Sequence, residues 1–281
     1  MLTYVQAIVL GLVQGVTELF PVSSLGHSVI LPTLLGWQID QMSPYFLPFL
    51  VATHLATALV LLGFYFTDWV NIIKGFFRSL AAFKVPKGDT YAKLSWLIVI
   101  GTVPAGILGL MFQKQLEILF SSALLASVLL LFNGVLLFAT EQIRKRREHA
   151  AHGDERIAQL PYDYAGWVGL SQAGALLPGL SRTGATMGSS LIAGLPHEEA
   201  ARFSFLLATP IIFAAAILKL PVLIHASGQV LGTTLVGALV AAVAAYLSVR
   251  FLTKYFKTKT LMPFAIYCFI AGLISILLIA F

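Results

Sequence analysis

Six stretches of this chain are apolar over close to the length that crosses a bilayer, and the charges are confined between them. They run over roughly residues 45–66, 93–112, 122–140, 203–224, 229–252 and 262–281. A transmembrane helix needs about 20 consecutive, mostly apolar residues. A water-soluble fold is excluded on the same ground. Of the 281 residues 58% are hydrophobic and only 11% charged, where a soluble domain carries about 25% charged residues. The chain therefore reads as an all-α integral membrane protein, one membrane domain over 1–281. Its net charge of +6 does not point to nucleic acid, because the basic residues lie in the short segments between apolar runs. The single cysteine, Cys268, sits inside an apolar run, which leaves no disulfide framework and no cysteine metal site. The N-terminus lacks a basic region and a small-residue cleavage site, so no cleavable signal peptide is expected.

Two further apolar segments are broken. Residues 4–20 run into Pro21–His27 (P-V-S-S-L-G-H) and resume to about Leu35; residues 164–177 run into Pro178–Thr186 (P-G-L-S-R-T-G-A-T) and resume to about Leu195. Proline, glycine and small polar residues stop a helix, and non-helical backbone at membrane depth survives only inside protein or beside a water-filled cavity. Both segments read as re-entrant helix–loop–helix elements.

Charge placement agrees. The basic segments are 67–92 (Lys74, Arg78, Lys84, Lys87), 141–160 (Arg144, Lys145, Arg146, Arg147, Arg156) and 250–259 (Arg250, Lys254, Lys257, Lys259). They share the cytoplasmic side only if neither broken segment crosses. Thr67–Lys84 is amphipathic and is expected along that interface. An internal repeat adds to this: G-L-V-Q at 11–14 returns as G-L-S-Q at 169–172, P-x-x-S at 21–24 as P-x-x-S at 178–181, and F-L-V-A-T at 49–53 as F-L-L-A-T at 205–209. Halves of approximately 1–140 and 161–281, joined by the basic loop 141–160, each hold one broken element and three spans. Three is odd, so the copies form an inverted-topology repeat, with the broken helices facing each other near the midplane.

An ionisable group at bilayer depth costs about 2.5–3.5 kcal/mol on insertion scales and is a functional candidate by default. Glu18, one turn after Gln14, and Arg182 each adjoin a break. The first loop adds Ser23, Ser24 and His27, the second Ser181, Thr183 and Thr186. This set suits phosphate chemistry. The guanidinium of Arg182 matches phosphate oxygens, and each loop opens a helix whose unpaired N–H groups favour an anion. Serine beside histidine is a minimal nucleophilic pair. Glu18 and Gln14 offer oxygen ligands for Mg²⁺ or Ca²⁺.

Plainer roles compete for several of these residues. Ser23 and Thr183 could only satisfy freed backbone groups, Glu18 and Arg182 could form a structural ion pair, and His27 could only start a helix. His54, alone in its span, reads as a packing residue or a contact behind the site. Arg202 reads as an interfacial snorkelling residue. His149, His152, His197 and His225 fall in loops or span ends, and Gly11, Gly15 and Gly174 read as close-packing positions.

The motifs G-x-x-Q-G-x-T-E-L-F-P-V-S-S-x-G-H at 11–27, P-G-L-S-R-T-G-A-T at 178–186 and F-S-F-L-L-A-T-P at 203–210 resemble the bacitracin-resistance family of bacterial undecaprenyl-diphosphate phosphatases. The likeness spans essentially the whole chain. Gln14 and Glu18 satisfy the family's first motif; Thr183 replaces the second serine usual in the second motif and keeps its hydroxyl. The resemblance implies hydrolysis of undecaprenyl diphosphate to the monophosphate and inorganic phosphate, recycling the lipid carrier for cell-wall synthesis. It also implies a divalent cation and a bacterial cytoplasmic-membrane location with the site facing outward. By resemblance, Glu18 and Gln14 place the metal, Ser24 is the nucleophile and His27 its acid/base partner or the activator of a water. Arg182, with Ser181, Thr183, Thr186 and Ser23, would hold the diphosphate. The rival class is a transporter or flippase of polyprenyl phosphate or a small anion, which needs a phosphate site but no nucleophile. A non-catalytic scaffold gives no reason for charges at depth. The partners implied are the polyprenyl lipid and the membrane, and a homodimer would suit such a bundle.

Overall fold

The computed structural model describes residues 2–120, 122–148 and 157–281; His149, His152 and Arg156 lie outside them. Among the described residues the chain is helical, with no strand. The helices are α1 (Tyr4–Thr17), α2 (Ser24–Leu34), α3 (Phe46–Phe64), α4 (Phe66–Ala81), α5 (Thr90–Met111), α6 (Gln113–Leu119), α7 (Ala123–Glu148), α8 (Tyr162–Gly174), α9 (Arg182–Ile192), α10 (His197–Lys219), α11 (Gly228–Tyr255) and α12 (Met262–Ala280).

Helices α3, α5, α7, α10, α11 and α12 are long and apolar enough to cross a membrane, matching the six runs read from sequence; this is a multi-pass membrane protein. Their outer faces are apolar too. On α11, Leu235, Leu239 and Val243 are exposed, while Gly237, Ala241 and Ala245 are buried. The exposed stripe has lipid as its solvent, and the small buried stripe lets another helix approach closely. That helix is α1. A Cβ at Gly11 would stand 2.3 Å from the carbonyl oxygen of Gly237, and one at Gly169 of α8 would stand 2.7 Å from that of Gly101 in α5. Gly15 is equally confined by α11, but Gly174 faces open space, so its close-packing role is not realised.

The two expected breaks are present. Residues 18–23 separate α1 from α2, and 175–181 separate α8 from α9; each pair of helices packs together. Helix-to-helix contacts follow a pattern under exchange of the halves. Pairing α1 with α8, α2 with α9, α3 with α10, α5 with α11 and α7 with α12 turns the α1–α11 contact into α8–α5. It also turns α3–α11 into α10–α5 and α7–α9 into α12–α2, and it leaves α3–α10 and α7–α12 unchanged.

Helix α4 forms most of the expected amphipathic segment. It buries Ile72, Gly75 and Ser79 and exposes Phe66, Ile73 and Phe77. Two polar residues are better tied down than their sequence positions suggest. Arg202 reaches Asp68 of α4 at 2.8 Å, so it is held in an ion pair rather than merely snorkelling. His197 is buried, its Nε2 2.6 Å from Glu141, which also accepts the Leu261 N–H. A carboxylate buried two turns before the end of α7 needs both partners, and hydropathy alone does not reveal them.

Candidate active site

The two breaks are built alike and bring their ends together. Ser23 caps α2 by accepting the Gly26 N–H at 3.2 Å, and Ser181 caps α9 by accepting the Gly184 N–H at 3.0 Å. The repeated P-x-x-S had aligned Ser24 with Ser181; the caps make Ser23 the structural equal of Ser181. The residue after each cap opens its helix, Ser24 in the first case and Arg182 in the second. Each helix thus aims unpaired N–H groups and a positive dipole end at the junction.

Glu18 closes α1 and is 7% exposed. One carboxylate oxygen accepts from the Arg182 guanidinium at 2.5 Å. The other accepts from the Ser24 hydroxyl and, at 3.1 Å, from the Gln14 amide, with His54 Nε2 at 3.0 Å. His54 Nε2 also lies 3.4 Å from the Ser24 oxygen, while its Nδ1 is 2.7 Å from the Leu50 carbonyl. A carbonyl only accepts, so Nδ1 carries a hydrogen and Nε2 is the nitrogen turned toward Ser24 and Glu18. The second terminal nitrogen of Arg182 (Nη1) is buried without a partner, as is the Gln14 carboxamide oxygen. A spare guanidinium donor suits an anionic oxygen, and a spare carboxamide oxygen suits a hard cation.

Of the residues anticipated from sequence, Glu18, Gln14, Ser24 and Arg182 converge. His27 does not join them: its Nδ1 is 2.6 Å from the Ser23 carbonyl, and its Nε2 is 2.7 Å from the Tyr267 hydroxyl, whose ring stacks on it. It props the first loop from behind, where Ser23 takes φ 68°, a conformation costly for a residue with a Cβ. Thr183 donates to the Glu18 carbonyl at 2.8 Å, and Thr186 donates to the Arg182 carbonyl at 2.8 Å and meets Ser204 at 2.6 Å. Both hydroxyls are consumed inside the protein. Ser23 likewise accepts the Gly179 N–H of the opposite loop at 3.1 Å. Sequence reasoning had read His54 as a packing residue or a contact behind the site, and the structure puts it in the cluster itself. The available signal was its position directly after the repeated F-L-x-A-T, where the second copy has Pro210.

A cavity of about 280 Å³ opens from this cluster. Glu18, Ser24, His54, Ser181 and Arg182 line its polar end; Leu47, Val51, Leu110, Ile211, Ile212 and Leu218 line the rest. The apolar walls come from α3, α5 and α10.

The sequence profile of the bacitracin resistance protein BacA family matches residues 7–274. The chain is 47% identical to the undecaprenyl-diphosphatase of Mycolicibacterium paratuberculosis, over 99% of this chain and 98% of that one. It is 48% identical to undecaprenyl-diphosphatase 2 of Burkholderia ambifaria, over 94% of this chain and 92% of that one. With a match this long and this close, the chain belongs to the BacA family.

Proposed function

We propose that this protein is a phosphatase that hydrolyses undecaprenyl diphosphate to undecaprenyl phosphate and inorganic phosphate, recycling the lipid carrier. The carrying observation is the Ser24 hydroxyl held against Glu18 and His54, opposite Arg182, at the polar end of an otherwise apolar cavity. A lipid diphosphate has that division of polarity, and its headgroup meets the charges while its tail lies among apolar walls. Ser24 Oγ attacks the terminal phosphorus, and its proton passes to the Glu18–His54 pair. The bond from that phosphorus to the bridging oxygen breaks, undecaprenyl phosphate leaves, and a phosphoserine remains. Water then attacks the same phosphorus, the P–Oγ bond breaks, the serine regains its proton and inorganic phosphate departs. Arg182 neutralises charge developing on the phosphoryl oxygens. A flippase would need no nucleophile, and nothing favours that reading over hydrolysis.

Glu18 and Gln14 fit a divalent cation shared with the substrate. Among the described residues no group of three or more His, Cys, Asp or Glu side chains could cage a metal, and Mg²⁺ commonly takes one or two protein oxygens plus substrate phosphates. The unpartnered Gln14 oxygen beside Glu18 supplies that share. When bound, the cation would screen the negative charge of the diphosphate.

The short helix pairs are read as re-entrant. Helix α1 has 14 residues and α2 has 11, lengths of about 21 and 17 Å against a hydrocarbon core of about 30 Å. With the contact pattern exchanging the halves and the basic segments on one side, this supports an inverted repeat. In that arrangement the cavity opens to the outer face of the cytoplasmic membrane, between the ends of α3, α5 and α10. The test is phosphate release by detergent-purified protein from undecaprenyl diphosphate with Mg²⁺, Ca²⁺ or EDTA. Metal-dependent release, with a phosphoserine trapped on Ser24 by acid quench, is the expected result. Protein inert under every metal condition would overturn the reading.

A further inference from the structure

Asn133 lies on α7, 2% exposed, on a helix that packs against α2, α9 and α12. Its Nδ2 donates to the Pro21 carbonyl at 3.0 Å and approaches the sulfur of Cys268 at 3.3 Å, while its Oδ1 accepts the Ser181 N–H at 3.0 Å. The carboxamide can sit only this way round, because a flipped group would set oxygen against the Pro21 oxygen and N–H against the Ser181 N–H. One planar side chain thus takes a freed carbonyl from the first loop and a freed amide from the second. Pro21 stands three residues before Ser24, and Ser181 immediately before Arg182. Two other bonds cross between the loops directly, Gly179 N–H to Ser23 and Thr183 to the Glu18 carbonyl. Among the described residues, only the Asn133 bonds fix both loops to a helix outside the two broken elements.

We propose that Asn133 is the positioning residue that sets the register of the two loops, and with it the placement of Ser24 against Arg182. It touches neither reacting group. This rests on the phosphatase reading above. A misplacement of about 1 Å costs on the order of 100-fold in rate when binding groups are otherwise intact, so the loss falls on kcat.

The experiment compares wild type, Asn133→Leu, Asn133→Asp and Ser127→Ala for phosphate release from undecaprenyl diphosphate, per unit of protein eluting as a monodisperse peak, with thermal unfolding measured alongside. Asn133→Leu is close in size and removes both bonds; Asn133→Asp keeps the acceptor for Ser181 and loses the donor to Pro21 in its ionised form. Ser127, fully buried on the same helix, donates to the Ala123 carbonyl within α7 and reports the cost of disturbing that helix. The expected result is kcat lowered about 100-fold in both Asn133 variants with KM within about threefold of wild type, and Ser127→Ala reduced only in stability. Should Asn133→Leu not fold, Asn133→Asp decides alone. Wild-type kcat in the folded Asn133 variants, or a rise in KM with kcat intact, overturns the positioning role and leaves the phosphatase standing. An inert wild type overturns both together.

Discussion

The two broken elements share a scaffold and have divided the polar groups between them. Each ends a short helix, turns through a proline-containing loop and restarts under a serine cap that accepts the N–H three residues on. At the matched position closing the first helix stands Glu18 in one copy and Ala175 in the other; at the position opening the second stand Ser24 and Arg182. The positions that hold backbone have stayed the same type, and the positions that face the cavity have diverged. Two identical loops would leave either Glu18 facing a serine or Arg182 facing an alanine, a buried charge without a counter-charge; here a carboxylate meets a guanidinium, which is the arrangement a buried site tolerates.

The sharpest way to break this comparison is to substitute the two serines that the sequence repeat aligns. Ser24→Ala removes the proposed nucleophile and is expected to lower kcat by at least about 10³-fold. Ser181→Ala removes a cap, a change of about 1 kcal/mol in stability, with kcat down less than tenfold. Phosphate release and thermal unfolding of both variants check this. Equal losses in kcat would mean that the loops are not divided as the geometry has it.

A similar contrast separates the two histidines. His54→Gln is expected to lower kcat by about 10²- to 10⁴-fold, the range of a lost proton-transfer group. His27→Gln disturbs only the Ser23 carbonyl and Tyr267, and its loss is expected near tenfold. Phosphate release by the two folded variants checks the contrast, and equal losses would remove His54 from the chemistry.

Here the limits of the sequence are visible residue by residue. Glu18, Gln14, Ser24 and Arg182 were legible because each is polar and adjoins a break in an apolar run. The six spans were legible from length alone. His54 was not, because helix α3 brings it to the loops from outside their motifs. Asn133 was not, because an amide inside a span has no charge to advertise its depth. His27 was misplaced for the opposite reason: proximity in sequence to Ser24 put it on the same short helix but on a face turned to α12.

Backbone approach gives a smaller, purely structural test. Gly11 and Gly169 hold matched places, each with a neighbouring carbonyl where a Cβ would go. Gly11→Ala and Gly169→Ala are each expected to cost about 1–3 kcal/mol through overpacking, seen as a lower unfolding temperature in detergent. Gly174→Ala, with open space around it, is expected to be neutral or slightly stabilising. Unequal losses at 11 and 169 would show that the halves share helix pairing without sharing its closeness.

The smallest expected effect compares caps across solvents. Ser23 and Ser181 cap inside the protein with hydroxyls that do not titrate; Asp89 caps α5 with a carboxylate, accepting the Ala92 N–H at 3.0 Å and a two-point contact from Arg78. The Ala92 N–H first, and the Arg78 guanidinium after it, hold the Asp89 carboxyl below its ordinary value, against a smaller opposing effect of burial. A folded value below the unfolded one, about 3.9, means the carboxylate stabilises fully above that pH and loses its contribution as pH falls through the folded value. The Arg78 contact is largely exposed, so it adds under about 1 kcal/mol, and the cap itself about 1 kcal/mol. Asp89→Ser keeps a capping oxygen and removes the charge. Its unfolding temperature should therefore fall slightly behind wild type at pH 7 and draw level as pH falls through the folded value, high salt closing only the Arg78 share of the gap. A gap that widens toward acid would assign the acid sensitivity of the fold to another group.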